Sequence, residues 1–290
     1  MLKPVEAELP QQQVNAYFQS SSDYWKRIYD TRALMPLIYQ TRQAAVLDWI
    51  TKLRLPASSH ILEIGCGAGV LTAELARTGH HIEAVDAAPA MVQLTRQNAT
   101  NNGVAERVTA SLADVHALCF PEGKFDLVIA IGVIPWLHDV ALGLSEMQRV
   151  LKRGGSLIVT VDNEWRLVRI LDPASSPVSW PLRSVMKSVL RHAGFCKVSH
   201  DLVVKLHTPG EIRRLFEQSG LQEVQSKCVG FGPFTLFGRH LIPETLGIAL
   251  HTHLQSLAER RIPPFHITGS HYLALAEKNC RRGLGRRALR

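Results

Sequence analysis

Apolar and polar positions change period several times along the 290-residue chain. Residues 14–53 place apolar and aromatic side chains at helical spacing, among them Tyr17, Phe18, Tyr24, Trp25, Tyr29, Tyr39 and Trp49, and predict a helical N-terminal segment. From residue 60 short apolar runs alternate with amphipathic stretches. His60–Gly65, His81–Asp86, Val108–Leu112, Phe125–Ile131 and Ser156–Val161 predict strands, and Val70–Thr78, Pro89–Asn101 and Val140–Leu151 predict helices between them. Lys152-Arg-Gly-Gly155 predicts the turn that stops the last of these helices. Pro209–Gly220 predicts a further helix with Thr208 as its N-cap and Pro209 and Glu211 in its first turn. Leu221–Val229 and Ser270–Glu277 predict two closing strands. Strands separated by helices pair in parallel through crossovers, so the expected class is α/β with a doubly wound sheet.

Two stretches exceed what such a sheet needs, residues 164–207 and 230–269. With five parallel units before them, both are expected to leave from the carboxyl ends of strands, the edge where open α/β sheets bind ligands. Together with the aromatic N-terminus they are expected to roof one pocket. The run Gly230-Phe-Gly-Pro-Phe-Thr-Leu-Phe-Gly-Arg239-His-Leu-Ile-Pro243 is apolar with one cation and suits a mobile lid, with Phe234 against a greasy substrate; it equally suits contact with a membrane surface or a partner. The expected layout is a helical cap over 1–53, one domain over 54–279 with the two insertions, and a basic, disordered tail over 280–290.

Composition is ordinary for a globular chain, 46% apolar and 20% charged. The N-terminus lacks the apolar core of a signal peptide. The longest apolar run, 125–137, is too short to span a bilayer and contains Gly132 and Pro135. Five cysteines without a C-x-x-C pair suggest reduced thiols and a cytoplasmic location. The net charge of +8 invites a nucleic-acid reading, but five arginines lie in the tail and the body carries only +3. No cluster of histidine, cysteine or carboxylate has metal-ligand spacing, and no metal is expected.

The chemistry concentrates in His60-Ile-Leu-Glu-Ile-Gly-Cys-Gly-Ala-Gly69. Glycines 65, 67 and 69 let the backbone turn tightly and approach a ligand, and the helix that follows aims its N–H groups at the same place. A dinucleotide loop would need a small residue at position 70, which is Val70, and would gain nothing from a carboxylate two residues before the first glycine. Glu63 suits a cationic ammonium or sulfonium. The pattern Glu63-x-Gly65-x-Gly67-x-Gly69 resembles motif I of the class I S-adenosyl-L-methionine (SAM)-dependent methyltransferases. Leu151-Lys-Arg-Gly-Gly155-Ser-Leu-Ile-Val159 is similar to the turn into the fifth strand in their small-molecule branch, and the segment from Val14 to Tyr29 is similar to the entry helices of magnesium-protoporphyrin and quinone methyltransferases. The likeness covers residues 55–163 well and the rest loosely.

That resemblance implies a Rossmann-like seven-stranded sheet with the last strand antiparallel and SAM as cofactor. It implies a cofactor site of Glu63, Gly65, Cys66, Gly67, Gly69, Asp86, Ala87, Met91, Asp114, Val115, Ile131 and Gly132. Asp86, at a strand end, would accept from both ribose hydroxyls. Asp114 would take the adenine amino group, and Ile131 and Gly132 would line the methionine side. Asp126 reads as structural. Val133-Ile-Pro-Trp136-Leu-His138 replaces the Asn-Pro-Pro-Tyr type motif of amine-directed DNA methyltransferases, which counts against DNA as substrate. Methyl transfer is an in-line displacement, so the protein aligns the acceptor and excludes water, and a hydroxyl acceptor also needs a base. His138 is the first candidate base, with His116, His207 and His271 behind it. Tyr17, Tyr29, Trp136 and Phe234 are expected to touch substrate. The expected activity is transfer to a hydrophobic small molecule, first at oxygen, with nitrogen or carbon as alternatives. The rivals are a SAM-binding assembly factor, a dinucleotide oxidoreductase, and an RNA methyltransferase that uses the basic tail.

Overall fold

The computed structural model describes residues 11–20, 33–173, 175–176, 204–237 and 239–279. Among these, the strands are β1 (His60–Ile64), β2 (His81–Asp86), β3 (Val108–Leu112), β4 (Phe125–Ala130), β5 (Leu151–Asp162), β6 (Leu221–Val229), β7 (Thr235–Leu236), β8 (Arg239–His240) and β9 (His271–Lys278). The helices are α1 (Gln11–Ser20), α2 (Leu34–Leu53), α3 (Val70–Arg77), α4 (Pro89–Asn101), α5 (Val140–Val150), α6 (Leu167–Leu171), α7 (Pro209–Gln218) and α8 (Glu244–Glu259). Helix α1 begins three residues before the predicted helical segment. Tyr24, Trp25, Tyr29 and the basic tail lie outside the described residues.

Seven strands form one sheet in the order β3-β2-β1-β4-β5-β9-β6. The pairs from β3 through to β5 are parallel, and β9 runs antiparallel to both β5 and β6, as the family likeness implied. The period-2 pattern places alternate residues on opposite faces. Ile61, Ile82, Leu127 and Ile129 pack beneath α2, α3 and α4. Leu62, Val85, Val128 and Leu157 pack against α5 and α7 on the other face. Helix α7 starts at a capping box: the Glu211 N–H donates to the Thr208 hydroxyl at 3.2 Å and the Thr208 N–H to the Glu211 carboxylate at 2.9 Å.

One strand differs from expectation. β5 begins at Leu151, five residues early, because Leu151 already pairs with Phe125. The predicted turn survives as a bulge: pairing resumes only at Ser156 with Leu127, and Gly154 sits at φ +73°.

The described parts of the two insertions take a different place from the one expected. They clamp each other and α2. The Asp172 carboxylate accepts from the Thr235 hydroxyl at 2.7 Å and the Phe237 N–H at 2.8 Å. The Leu167 N–H donates to the Thr268 carbonyl at 2.8 Å. Gly230, Gly232 and Gly247 lie so close to Leu34 and Ile38 of α2 that a Cβ on any of them would stand 2.7–3.1 Å from those side chains. Glu244 accepts the Leu34 N–H and so satisfies the first turn of α2, whose own N-cap, Ala33, has no side-chain bond to offer.

Asn163 joins these parts. Its fully buried amide donates to the carbonyls of Ile267 and Gly269, each at 2.8 Å, and its oxygen accepts from Trp165 N–H at 3.0 Å. Asn163→Ala strands these groups away from water, and a loss of about 2–4 kcal/mol is expected. Denaturant unfolding checks this; a midpoint equal to the wild type would remove Asn163 from the clamp.

Candidate functional site

The turn after β1 is held by β2. Gly65 and Cys66 N–H groups both donate to the Val85 carbonyl, at 2.7 and 3.1 Å, and Gly67 N–H donates to the Asp86 carboxylate at 3.0 Å. Asp86 also accepts from Ala88 N–H at 2.9 Å. Helix α4 grips the loop from behind: the Thr95 hydroxyl donates to the Gly67 carbonyl at 3.0 Å and the Asn98 amide to the Ala68 carbonyl at 3.1 Å.

All three glycines have positive φ, but for separate reasons. A Cβ on Gly65 would meet Val133 at 2.4 Å, and one on Gly69 would meet Thr95 at 2.7 Å. A Cβ on Gly67 (φ +55°) would enter empty space with no atom within 4 Å. That space is the cavity above the sheet edge.

Eleven of the twelve expected cofactor residues line this cavity: Glu63, Gly65, Cys66, Gly67, Asp86, Ala87, Met91, Asp114, Val115, Ile131 and Gly132. Gly69 lies behind it, against α4. Trp136 also lines it. Tyr17 does not, but its ring stacks on Trp136 at 6.0 Å, while Phe18, which does line it, meets Trp136 edge-on at 5.2 Å. Thus α1 and the 134–136 turn close one side. Phe234 is elsewhere, packed against the cluster of Phe231, Leu254 and Ala258. No described residue of 164–207 or 230–269 lines the cavity, so the expected roof is not formed by these parts; α1 and α2 form the wall instead. Asp126 accepts from His60 N–H at 2.9 Å and pairs with Lys152 at 2.7 Å, a structural role at the opposite sheet edge.

His138 is exposed and lies outside the cavity, its ring 3.7 Å from that of His116. His116 lines the cavity, and its Nδ1 lies 2.7 Å from Asp114. Desolvation is the largest single influence on Asp114 and pushes it up, but the backbone and side-chain hydrogen bonds of His116, together with the electrostatic pull of His116 and His138, hold it below its usual carboxylate range.

Burial dominates at the other carboxylates. Glu63 is enclosed, accepts the Thr72 hydroxyl, and is pushed up to about 8 by desolvation, with Asp86 adding to the rise. Asp86 is raised by desolvation against the hydrogen bonds it accepts. The Cys66 thiol is raised well above its ordinary value by burial, so it stays a neutral small side chain.

Sequence reading missed Arg42. It sits on the core-facing stripe of α2, with Ile38, Ala45, Val46 and Trp49, and is only 7% exposed. It lines the cavity, stacks over Tyr39 at 4.8 Å, and has a buried Nε without a hydrogen-bond partner. Its NH1 would stand 3.3 Å from a Cβ on Gly132, whose N–H is fixed by the Thr160 hydroxyl at 2.8 Å. An arginine in an otherwise apolar helical stripe was the available signal. Asp162 and His271 also line the cavity.

Comparison with known proteins follows the same lines. Residues 62–159 match a family model described as a methyltransferase domain. A ubiquinone biosynthesis O-methyltransferase of Cereibacter sphaeroides is 30% identical over 199 residues, 68% of this chain and 74% of that protein. Among solved structures, magnesium protoporphyrin IX methyltransferase from Synechocystis PCC 6803 with bound SAH covers 93% of this chain and 100% of its own, with a TM-score of 0.61 at 17% identity. The 4+2 cyclase SpnF covers 96% of this chain and 99% of its own, with a TM-score of 0.62 at 16% identity. The structural likenesses establish the fold; the relative matched along two thirds of the sequence, with the glycine loop and its carboxylates in place, makes the chain a member of the class I SAM-dependent methyltransferases.

Proposed function

We propose that the cavity would hold SAM, with its ammonium, carboxylate and sulfonium, and would present its methyl group to a hydroxyl on an apolar small molecule. The observation that carries this reading is the distribution of charge along one cavity: acceptors at Asp86 and Asp114, the buried carboxyl of Glu63, and the buried guanidinium of Arg42 with its orphaned Nε. Asp86 suits the ribose hydroxyls and Asp114 the adenine amino group. Glu63 suits the ammonium, and Arg42 suits the carboxylate, a match that would pair a charge otherwise costly to bury. SAM supplies an electrophilic methyl group when bound. The protein's share is alignment and exclusion of water, for which Phe18 and Trp136 are placed. The O-methylating relative and the apolar wall favour a hydrophobic acceptor. Among the described residues no helix is long and apolar enough to cross a membrane.

Labelled methyl from SAM is expected to enter an organic-extractable product from a metabolite extract; label confined to RNA would overturn the acceptor class, and SAM binding without transfer to any component would favour the assembly-factor reading. Asp86→Ala is expected to weaken SAM by roughly a hundredfold, through loss of charge-assisted hydrogen bonds. Arg42→Ala should weaken SAM about tenfold or more, yet leave 5′-methylthioadenosine, which has no carboxylate, unaffected. Calorimetry reads both, and equal losses for the two ligands with Arg42→Ala would remove the carboxylate assignment.

Glu63 adds a pH signature. In the free protein it keeps its proton up to about 8. A bound ammonium favours the carboxylate, so binding below that pH releases a proton. SAM affinity should therefore rise with pH through neutrality and level off above about 8, with proton release measurable in buffers of different ionisation enthalpy. Glu63→Gln should bind more weakly and lose this dependence; an unchanged profile would assign it elsewhere.

A further inference from the structure

The cavity holds a second polar group set that the cofactor residues do not account for. Asp162 ends β5 and His271 opens β9, and the two are register partners across the antiparallel pair. His271 Nε2 lies 3.4 Å from Asp162 Oδ1, and both residues line the cavity. Asp162 stands three strand positions along the sheet edge from Asp86 and His271 four, about 14 and 19 Å at ordinary strand spacing. A site at that remove from the ribose acceptor serves the reacting end of the pocket rather than the nucleoside. His271 Nδ1 is buried without a hydrogen-bond partner, and the Tyr39 ring lies 5.9 Å from the imidazole.

The charged groups facing His271 are Asp162 from β5, Arg166 just beyond β5, and Arg42 from α2. Burial, then Arg42, then Arg166 hold the imidazole well below its ordinary range, so it is neutral. Burial raises Asp162, against the pull of Arg166 and Arg42. Of the two cations, Arg42 is the larger influence on His271, and it is also the residue assigned above to the cofactor's carboxylate. A neutral imidazole can accept a proton; burial opposes acceptance most, and the positive charges of Arg42 and Arg166 add to it.

We propose that Asp162 and His271 form the proton-accepting site for a phenolic or enolic hydroxyl of the acceptor, and that a carboxylate seated on Arg42 readies this site. The gating half rests on the cofactor reading above; the dyad itself rests on its own geometry. Asp162 holds the imidazole and stabilises its protonated form. In the transfer, the acceptor O–H bond breaks and its proton passes to His271 Nε2 beside Asp162, the oxygen's electron pair forms the new O–C bond to methyl, and the S–C pair stays on sulfur, discharging the sulfonium. The imidazolium then returns its proton to solvent.

Two experiments test this. Histidine-selective 15N NMR of the full chain is recorded from pH 4.5 to 8, with the His271 signals identified by their loss in His271→Gln. They should stay in the neutral form when the protein is free. S-adenosylhomocysteine, which keeps the carboxylate, should move their titration up by about one pH unit or more, while 5′-methylthioadenosine should not. No shift specific to S-adenosylhomocysteine overturns the gating. If Arg42→Ala binds S-adenosylhomocysteine as tightly as wild type does, the cofactor assignment fails, and the dyad is judged by the second experiment alone. There, 4-hexylcatechol and its dimethyl ether are titrated calorimetrically into the S-adenosylhomocysteine complex. Wild type should prefer the catechol roughly tenfold. His271→Gln and Asp162→Asn should each lose that preference while still binding S-adenosylhomocysteine. Equal affinities in wild type, or a preference that survives in both variants, overturn the dyad.

Discussion

The hydrogen bonds from the glycine loop to the end of β2 are the constraint on which this site depends. Val85 carbonyl takes two loop N–H groups and Asp86 carboxylate takes a third. With these bonds made, the loop after β1 runs along the cavity wall, and α3 starts at that wall with Val70 and Leu71. Thr95 then fixes the loop's far side. The empty space over Gly67 is a consequence: the backbone is anchored on both flanks, and no side chain stands between it and a ligand. The same bonds hold Asp86 at the rim, although burial raises the cost of its charge.

A second dependency runs from the outside inward. The described part of the 230–269 insertion lies behind α2, not over the pocket. Helix α8 and the glycines at 230, 232 and 247 press on Leu34 and Ile38, and Glu244 satisfies the first turn of the helix. Held this way, α2 can carry a guanidinium on its buried stripe. A buried arginine without hydrogen bonds is costly and persists only in a rigid setting or with a ligand to meet it. The insertion therefore bears on the site through the helix it supports.

The likeness to a cyclase as well as to methyltransferases follows from physics of the same kind. An open sheet with a crevice at its carboxyl edge can host different reactions, because the fold provides the crevice and the side chains along it provide the chemistry. In this chain Asp162, His271, Tyr39 and Arg42, drawn from three separate elements, line that crevice.

Cofactor recognition was legible in the sequence because its determinants are local. Gly65, Gly67 and Gly69 announce positive φ within five residues, Glu63 is two residues away, and Asp86 and Asp114 each mark a strand end. The seven-stranded sheet and its antiparallel last strand followed from the family likeness rather than from periodicity. Of the far end of the cavity, His271 was named among the candidate bases, but its pairing with Asp162 was not legible. Asp162 and His271 are 109 positions apart, and only antiparallel pairing of β5 with β9 makes them neighbours. His138 looked well placed because it follows β4, yet the turn at 134–136 carries it outside the cavity and leaves His116 on the wall. Phe234 looked like a lid residue, yet its apolar surface found Phe231 and Leu254. By itself the sequence determined what binds at the nucleoside end, since one turn and two strand termini specify it. Only the tertiary structure decided which groups gather at the other end of the cavity, because long-range strand pairing and the packing of α2 bring Asp162, His271 and Arg42 onto one wall.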